Sequence, residues 1–336
     1  MEDKSDERMK MEIGLVTPSA PAPALFPERF KRGVSCLENL GFKVKLGKYV
    51  STKNGMTSAT AKERAADINE FFADKDVSLL MASIGGDYSA EILQYLDWEL
   101  IQANKKGLIG YSDITILLLA IGIKTQQVVY YGPTLMTEFS EYPIPPHMSE
   151  EAFLKVFDEN SILEVSPCSA LLDKGSDWAL PPTERISSNS VFQKTIRSGC
   201  VKGIVIGGCI EALERIRGTE YFPNFKNAIF IMETVDEGFD EKKWRAIVTD
   251  YANMGVFRNV VGIVIGQKTW NEDEVNRLAA MLLEATKAKK IPIAYGLPFG
   301  HISPIATIPL FAKATLDADA IKLVYDKPFK YEYVGE

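Results

Sequence analysis

The sequence predicts an α/β protein: an N-terminal doubly wound parallel sheet carrying a nucleophile elbow, then a C-terminal mixed α/β half. Three observations predict it. Short apolar runs alternate with amphipathic stretches through the first half, the rhythm of strand and helix in turn. Residues 77–84 (VSLLMASI) are apolar almost throughout, of strand length, and closed by Gly85-Gly86. Such unbroken apolar strands suit a parallel sheet covered on both faces. Residues 307–325 read as β-rich, with Pro309 in a short strand that belongs at a sheet edge, because proline cannot donate to a ladder.

In chain order, residues 12–17 (EIGLVT) read as a strand stopped by Pro18, 27–41 as a helix and 43–46 as a short strand. Thr60 and Glu63 have capping-box spacing, and Ala61, Ala65, Ile68 and Phe72 recur at helical period behind them. Residues 89–96 read as a helix, 107–110 as a strand, 113–123 as a helix and 128–132 as a strand. The alternation stops after about residue 165. Residues 166–198, with Pro167, Gly175, Pro181, Pro182 and many serines, read as a linker or active-site loop. Strands at 201–206, 228–233, 260–265 and 291–295 then alternate with helices at 210–217, 240–254 and 272–289. The expected organisation is therefore a domain over 1–165, the loop 166–198 and a second domain over 199–336, in keeping with ~100–200 residues per domain for a 336-residue chain.

Composition narrows the function. Hydrophobic residues are 46% and charged residues 25%, enough apolar content for a large core. A net charge of −7 argues against a nucleic-acid polymer or an anionic membrane as partner. No apolar run reaches the ~18–20 residues of a membrane span, and the start, MEDKSDERMKME, is charged throughout, so a soluble cytoplasmic chain is expected. Cys36, Cys168, Cys200 and Cys209 form no CxxC pair and read as small apolar residues. The two histidines, His147 and His301, are too few for a histidine-rich metal centre, though that does not exclude an all-carboxylate site, and no metal or cofactor is expected.

Ser112 lies on the turn between the strand ending at Gly110 and the helix after it. That resembles a nucleophile elbow, which lifts a serine Oγ to the carboxyl edge of a sheet, with free N–H groups of a helix start behind it. The glycine of a G-x-S-x-G elbow is replaced by Ile114, and Ser112 or Asp113 reads equally as a simple N-cap. Gly85-Gly86-Asp87 follows an apolar strand. Its glycines let backbone approach a ligand, and the Gly86 N–H suits an oxyanion donor, while Asp87 or Ser89 also reads as a cap. Glu233 stands at the carboxyl end of an apolar strand, where α/β sheets place functional groups. His301 follows the next strand end but one, in a loop stiffened by Pro298 and Pro304; His147 follows Pro145-Pro146 and reads as surface. The order Ser…Glu…His is that of α/β-hydrolase triads, in which an imidazole takes the serine proton and an acid orients it.

SIGGDYS (83–89), LDWELI (96–101), GLIGYSDIT (107–115), YGPTLMTEF (131–139), GIVIGG (203–208), RGTEYFP (217–223), IFIMETVDE (229–237), GVFRNVVGIVIGQ (255–267) and FGHISP (299–304) together resemble the LD-carboxypeptidase family of serine peptidases, nearest its microcin C self-immunity branch. The resemblance implies a nucleophile at Ser112, a triad acid at Glu233, a general base at His301, and oxyanion donors in the backbone N–H groups of Gly86 and Asp113. It also implies an active site between two domains and a homodimer. Two segments depart from the family: Gly207-Gly208-Cys209 stands where GGN is usual, and Ala90-Glu91 where arginine is common. The immunity branch cuts the amide between an aspartate and a nucleotide-like group; the other branch removes the terminal D-alanine of murein tetrapeptide. Trp178, in the long loop, fits the immunity branch, where a loop tryptophan stacks on adenine, and equally fits packing at a domain interface. The expected partner is a small peptide-like or aminoacyl-nucleotide substrate, held by Gly85, Asp87 and Trp178; a non-catalytic two-domain binder is the alternative of another class.

Overall fold

The computed structural model describes residues 11–158, 162–173, 175, 177–188 and 191–326. Strands β1 (Glu12–Val16), β2 (Lys43–Leu46), β3 (Val77–Ala82), β4 (Gly107–Gly110) and β5 (Val129–Tyr131) come from the first half. The next segment adds β6 (Glu164–Val165), β7 (Leu171–Leu172), β8 (Ser187–Ser188) and β9 (Lys194–Arg197). The second half supplies β10 (Cys200–Cys209), β11 (Ala228–Glu233), β12 (Gly262–Gly266), β13 (Ile293–Leu297), β14 (Ile308–Leu310), β15 (Lys313–Asp317) and β16 (Lys322–Tyr325).

The first sheet has the order β14-β5-β4-β3-β1-β2, with β1 to β5 parallel and β14 antiparallel at the edge. Pro309 sits in that edge strand, paired with Tyr130, as its missing N–H requires. The second sheet has the order β6-β16-β15-β10-β11-β12-β13-β9, a parallel centre flanked by antiparallel strands. The chain is thus mixed α/β, with a doubly wound first sheet and a mixed second one. Because β14 comes from late in the chain and joins the first sheet, the two halves are stitched together by backbone hydrogen bonds.

Local sequence explains most helices. Thr60 and Glu63 close a capping box on the helix Ala61–Ala73, and Asn271 and Glu274 do so on Glu272–Ala285. The helix Thr115–Thr125 (TILLLAIGIKT) is apolar on nearly every side because it packs on β4 and β5 and also on β10. Residues 89–96, read as a helix, form a 3-10 helix over Ser89–Tyr95. The expected loop 166–198 contains three short strands. β7 pairs with β8, and β9 adds an edge to β13. Two-residue strands carry no readable alternation, which is why the sequence pattern misses them. Among the described residues no helix is long and apolar enough to cross a membrane.

Candidate active site

The candidate side chains gather where the carboxyl ends of β3 and β4 meet those of β11 and β13. The turn after β4 puts Ser112 at φ +63°, a left-handed conformation that costs a non-glycine residue about 1–3 kcal/mol. Neither Ser112 nor Asp113 caps the helix that starts there. The strained turn instead projects the Ser112 hydroxyl to 2.9 Å from His301 Nε2. Nδ1 of the same imidazole lies 2.8 Å from Glu233 Oε2. The His301 backbone N–H also donates to Glu233 Oε2, at 3.2 Å. Gly300, at φ +95°, makes this possible: a Cβ there would run into the Glu233 carboxylate.

Glu233 is buried, and burial alone would raise its pKa. The charge and hydrogen bond of His301, with the Tyr131 hydroxyl, outweigh burial and hold the carboxyl below its ordinary 4.5. Tyr131 donates to Glu233 Oε1 at 2.5 Å; burial and the neighbouring carboxylate keep its own proton on. Glu233 is therefore an ionised acceptor whose two oxygens are both engaged, one by the tyrosine and one by the imidazole. A hydroxyl in contact with such an oriented imidazole can give up its proton to it.

The Gly85-Gly86 loop faces the serine. A Cβ on Gly85 would stand 3.3 Å from Ser112 Oγ and 3.4 Å from the Asp113 N, so glycine keeps that space open. Gly86, at φ +146°, lies against Ser19 and Ala20 and leaves no room for a side chain. Asp113 locks this loop to the elbow: its Oδ2 accepts from the N–H of Tyr88 at 3.1 Å and of Ser89 at 2.9 Å. The Asp87 carboxylate is 84% exposed and lies 3.8 Å from Arg215.

A cleft of about 490 Å³ opens beside His301, lined by Tyr111, Glu138, Trp178, Arg185, Lys268 and Ser303 among others. Trp178 is half-buried on its wall, edge-on to Phe26 with centroids 5.6 Å apart and under the Arg29 guanidinium at 4.2 Å. It packs against the first half and also lines the cleft. Arg185 tethers the same segment through the Asp173 carbonyl and stands 3.8 Å from Glu141. His147 is exposed on the helix His147–Lys155, with Glu151 4.0 Å away. The thiol of Cys209 donates to Glu211 Oε2 at 3.0 Å. Glu91, the other departure, accepts from the buried Arg64 at 2.5 Å.

Tyr131, Arg215 and the buried acid Glu138 belong to this neighbourhood and were not singled out in the sequence. Tyr131 ends an apolar strand, the same positional signal that marks Glu233. Arg215 and Glu138 carry no local signal at all, because only tertiary pairing brings them here.

The family model of the LD-carboxypeptidase N-terminal domain matches residues 13–132, and that of the LD-carboxypeptidase C-terminal domain matches residues 202–316. The chain is 33% identical to the microcin C7 self-immunity protein MccF of Escherichia coli over 320 residues, 91% of this chain and 90% of that protein. It is 25% identical to the murein tetrapeptide carboxypeptidase of Pseudomonas aeruginosa over 327 residues, 95% of this chain and 98% of that one. The solved structure of MccF in complex with aspartyl sulfamoyl adenosine is similar at a TM-score of 0.85 and 30% identity, covering 96% of this chain and 97% of that chain.

Proposed function

The chain belongs to the LD-carboxypeptidase family, serine hydrolases of carboxypeptidase type, and from that premise we propose that Ser112, His301 and Glu233 are a Ser-His-Glu triad cutting an amide near a carboxyl end of a small substrate. The observation that carries this reading is the single imidazole bridging Ser112 Oγ at 2.9 Å and Glu233 Oε2 at 2.8 Å. In the first step Ser112 Oγ attacks the carbonyl carbon while His301 Nε2 takes the hydroxyl proton. The oxyanion that forms is held by the backbone N–H groups of Gly86 and Asp113. Collapse breaks the C–N bond, and His301 returns its proton to the leaving nitrogen. Water, deprotonated by the same imidazole, then hydrolyses the acyl-Ser112 ester. Glu233 keeps Nδ1 protonated and stabilises the imidazolium without taking the proton itself.

Among substrates, the reading we favour is an aminoacyl-nucleotide. Its support is Trp178 on the cleft wall, an indole face suited to a purine, together with the likeness to MccF, whose solved structure holds aspartyl sulfamoyl adenosine. The likeness to a murein tetrapeptide carboxypeptidase supports a D-alanine-terminated peptide as the second reading. Side-by-side hydrolysis of aspartyl sulfamoyl adenosine and of murein tetrapeptide decides between them. Turnover of the first alone supports the immunity-type reading, turnover of the second alone replaces it, and turnover of neither removes both.

A further inference from the structure

We infer that Arg215 is a positioning residue for this reaction, holding in register the two backbone segments that supply the oxyanion donors. The inference rests on the triad reading above. Arg215 ends the short helix Ile210–Arg215, which leaves β10 directly, so it arrives from the second sheet. Its Nη1 donates to Asp113 Oδ1 at 2.8 Å, and its Nη2 donates to the main-chain carbonyl of Asp87. Asp113 follows the serine, and Asp87 follows Gly86. One planar guanidinium thus touches one expected donor residue, Asp113, and the residue that follows the other, Gly86.

Asp113 completes the cross-link. Its side chain is 1% exposed, and its other oxygen accepts from the N–H groups of Tyr88 and Ser89, while the Ser89 hydroxyl donates to the Asp113 carbonyl at 2.8 Å. Among the described residues Arg215 is the cation paired with this buried carboxylate. An oxyanion hole works by aiming two dipoles at a point, and a misplacement of about 1 Å costs a rate factor near a hundred. Lysine, a point charge, cannot span a carboxylate oxygen and a carbonyl as the fork does. Arg215 is itself 34% exposed, so water can replace it at the rim, and its loss should disturb aim more than folding.

The test compares Arg215→Met and Arg215→Lys with wild type, reading kcat, KM, melting temperature and affinity for a peptidyl boronic acid, which forms a tetrahedral oxyanion adduct on serine. For Arg215→Met we expect kcat to fall about 10- to 100-fold, KM to stay within about threefold, and boronate affinity to fall in step with kcat. Arg215→Lys should recover only part of the loss, and added guanidinium ion should partly rescue Arg215→Met. An unchanged kcat, or a loss confined to KM, overturns the inference. Amide hydrogen exchange of residues 84–89 and 111–114 is read alongside, in Arg215→Lys if Arg215→Met does not fold. Both segments should exchange faster, and unchanged protection also overturns the inference. Wild-type protein that neither hydrolyses substrate nor binds the boronate instead overturns the triad reading, and the assigned role with it.

Discussion

Ser112 sits in a strained left-handed turn that presents its hydroxyl to His301, and on the triad reading Ser112→Ala should abolish hydrolysis, by several orders of magnitude, without lowering the melting temperature. Retained turnover with an unchanged melting curve contradicts the assignment. Glu233→Gln should slow the enzyme about 10³- to 10⁴-fold, since the amide can no longer fix the imidazole tautomer. Glu138 offers a different check. Burial raises its carboxyl to about 7, against an ordinary 4.5, with Arg185 and the Thr137 hydroxyl opposing. Between those values the folded protein holds a proton that the unfolded chain has lost. Stability therefore falls as pH rises from 4.5 towards 7, by up to about 3 kcal/mol, and the cost is absent below 4.5 where both states are protonated. Denaturant unfolding of Glu138→Gln at pH 5 and pH 7.5 should show that slope flattened, and an unchanged slope refutes it. At this scale Ser112, Glu233 and His301 could be singled out in the sequence because each stands at or after the end of an apolar strand, where α/β sheets place functional groups. Tyr131, Arg215 and Glu138 were not, since a hydrogen bond across more than a hundred residues, as from Tyr131 to Glu233, leaves no local trace.

Elements divide in the same way. β3 and the helix Ala61–Ala73 could be read from an apolar run and a capping box, both local. The helix Thr115–Thr125 was readable as a helix but not as the slab between two sheets, because its other neighbour, β10, lies far along the chain. The segment between β6 and β10 read as irregular, and its short strands appear only through their partners. That segment carries Trp178, tethered by Phe26 and Arg29 at the cleft wall. If the indole stacks on a base, Trp178→Ala should weaken aminoacyl-adenylate substrates about 5- to 150-fold, mainly in KM, and leave a base-free peptide little changed. Equal losses on both, with a lowered melting temperature, assign it to packing instead. In the His301 loop, Gly300→Ala should lower stability and activity together, because the new methyl meets the Glu233 carboxylate. A fully active, equally stable Gly300→Ala protein contradicts that.

Across the whole molecule, the serine and the Gly85-Gly86 loop ride on the first sheet, and the glutamate and histidine on the second. The site exists only where the two meet. The sequence could show both sheets and the residues at their edges, but not that Gly207 lets β10 lie against β11 and that Gly208 lets the halves close. A Cβ at Gly207 would run into the Ile231 carbonyl, and one at Gly208 into Thr115 and Tyr131. β14 then seals the junction by pairing with β5. The central claim is that this junction activates Ser112 through His301. Intact-protein mass spectrometry after treatment with a fluorophosphonate tests it most directly. The account predicts one adduct, mapped to Ser112, absent in Ser112→Ala and slowed by orders of magnitude in His301→Ala. No adduct on Ser112, or labelling of His301→Ala at the wild-type rate, would contradict it.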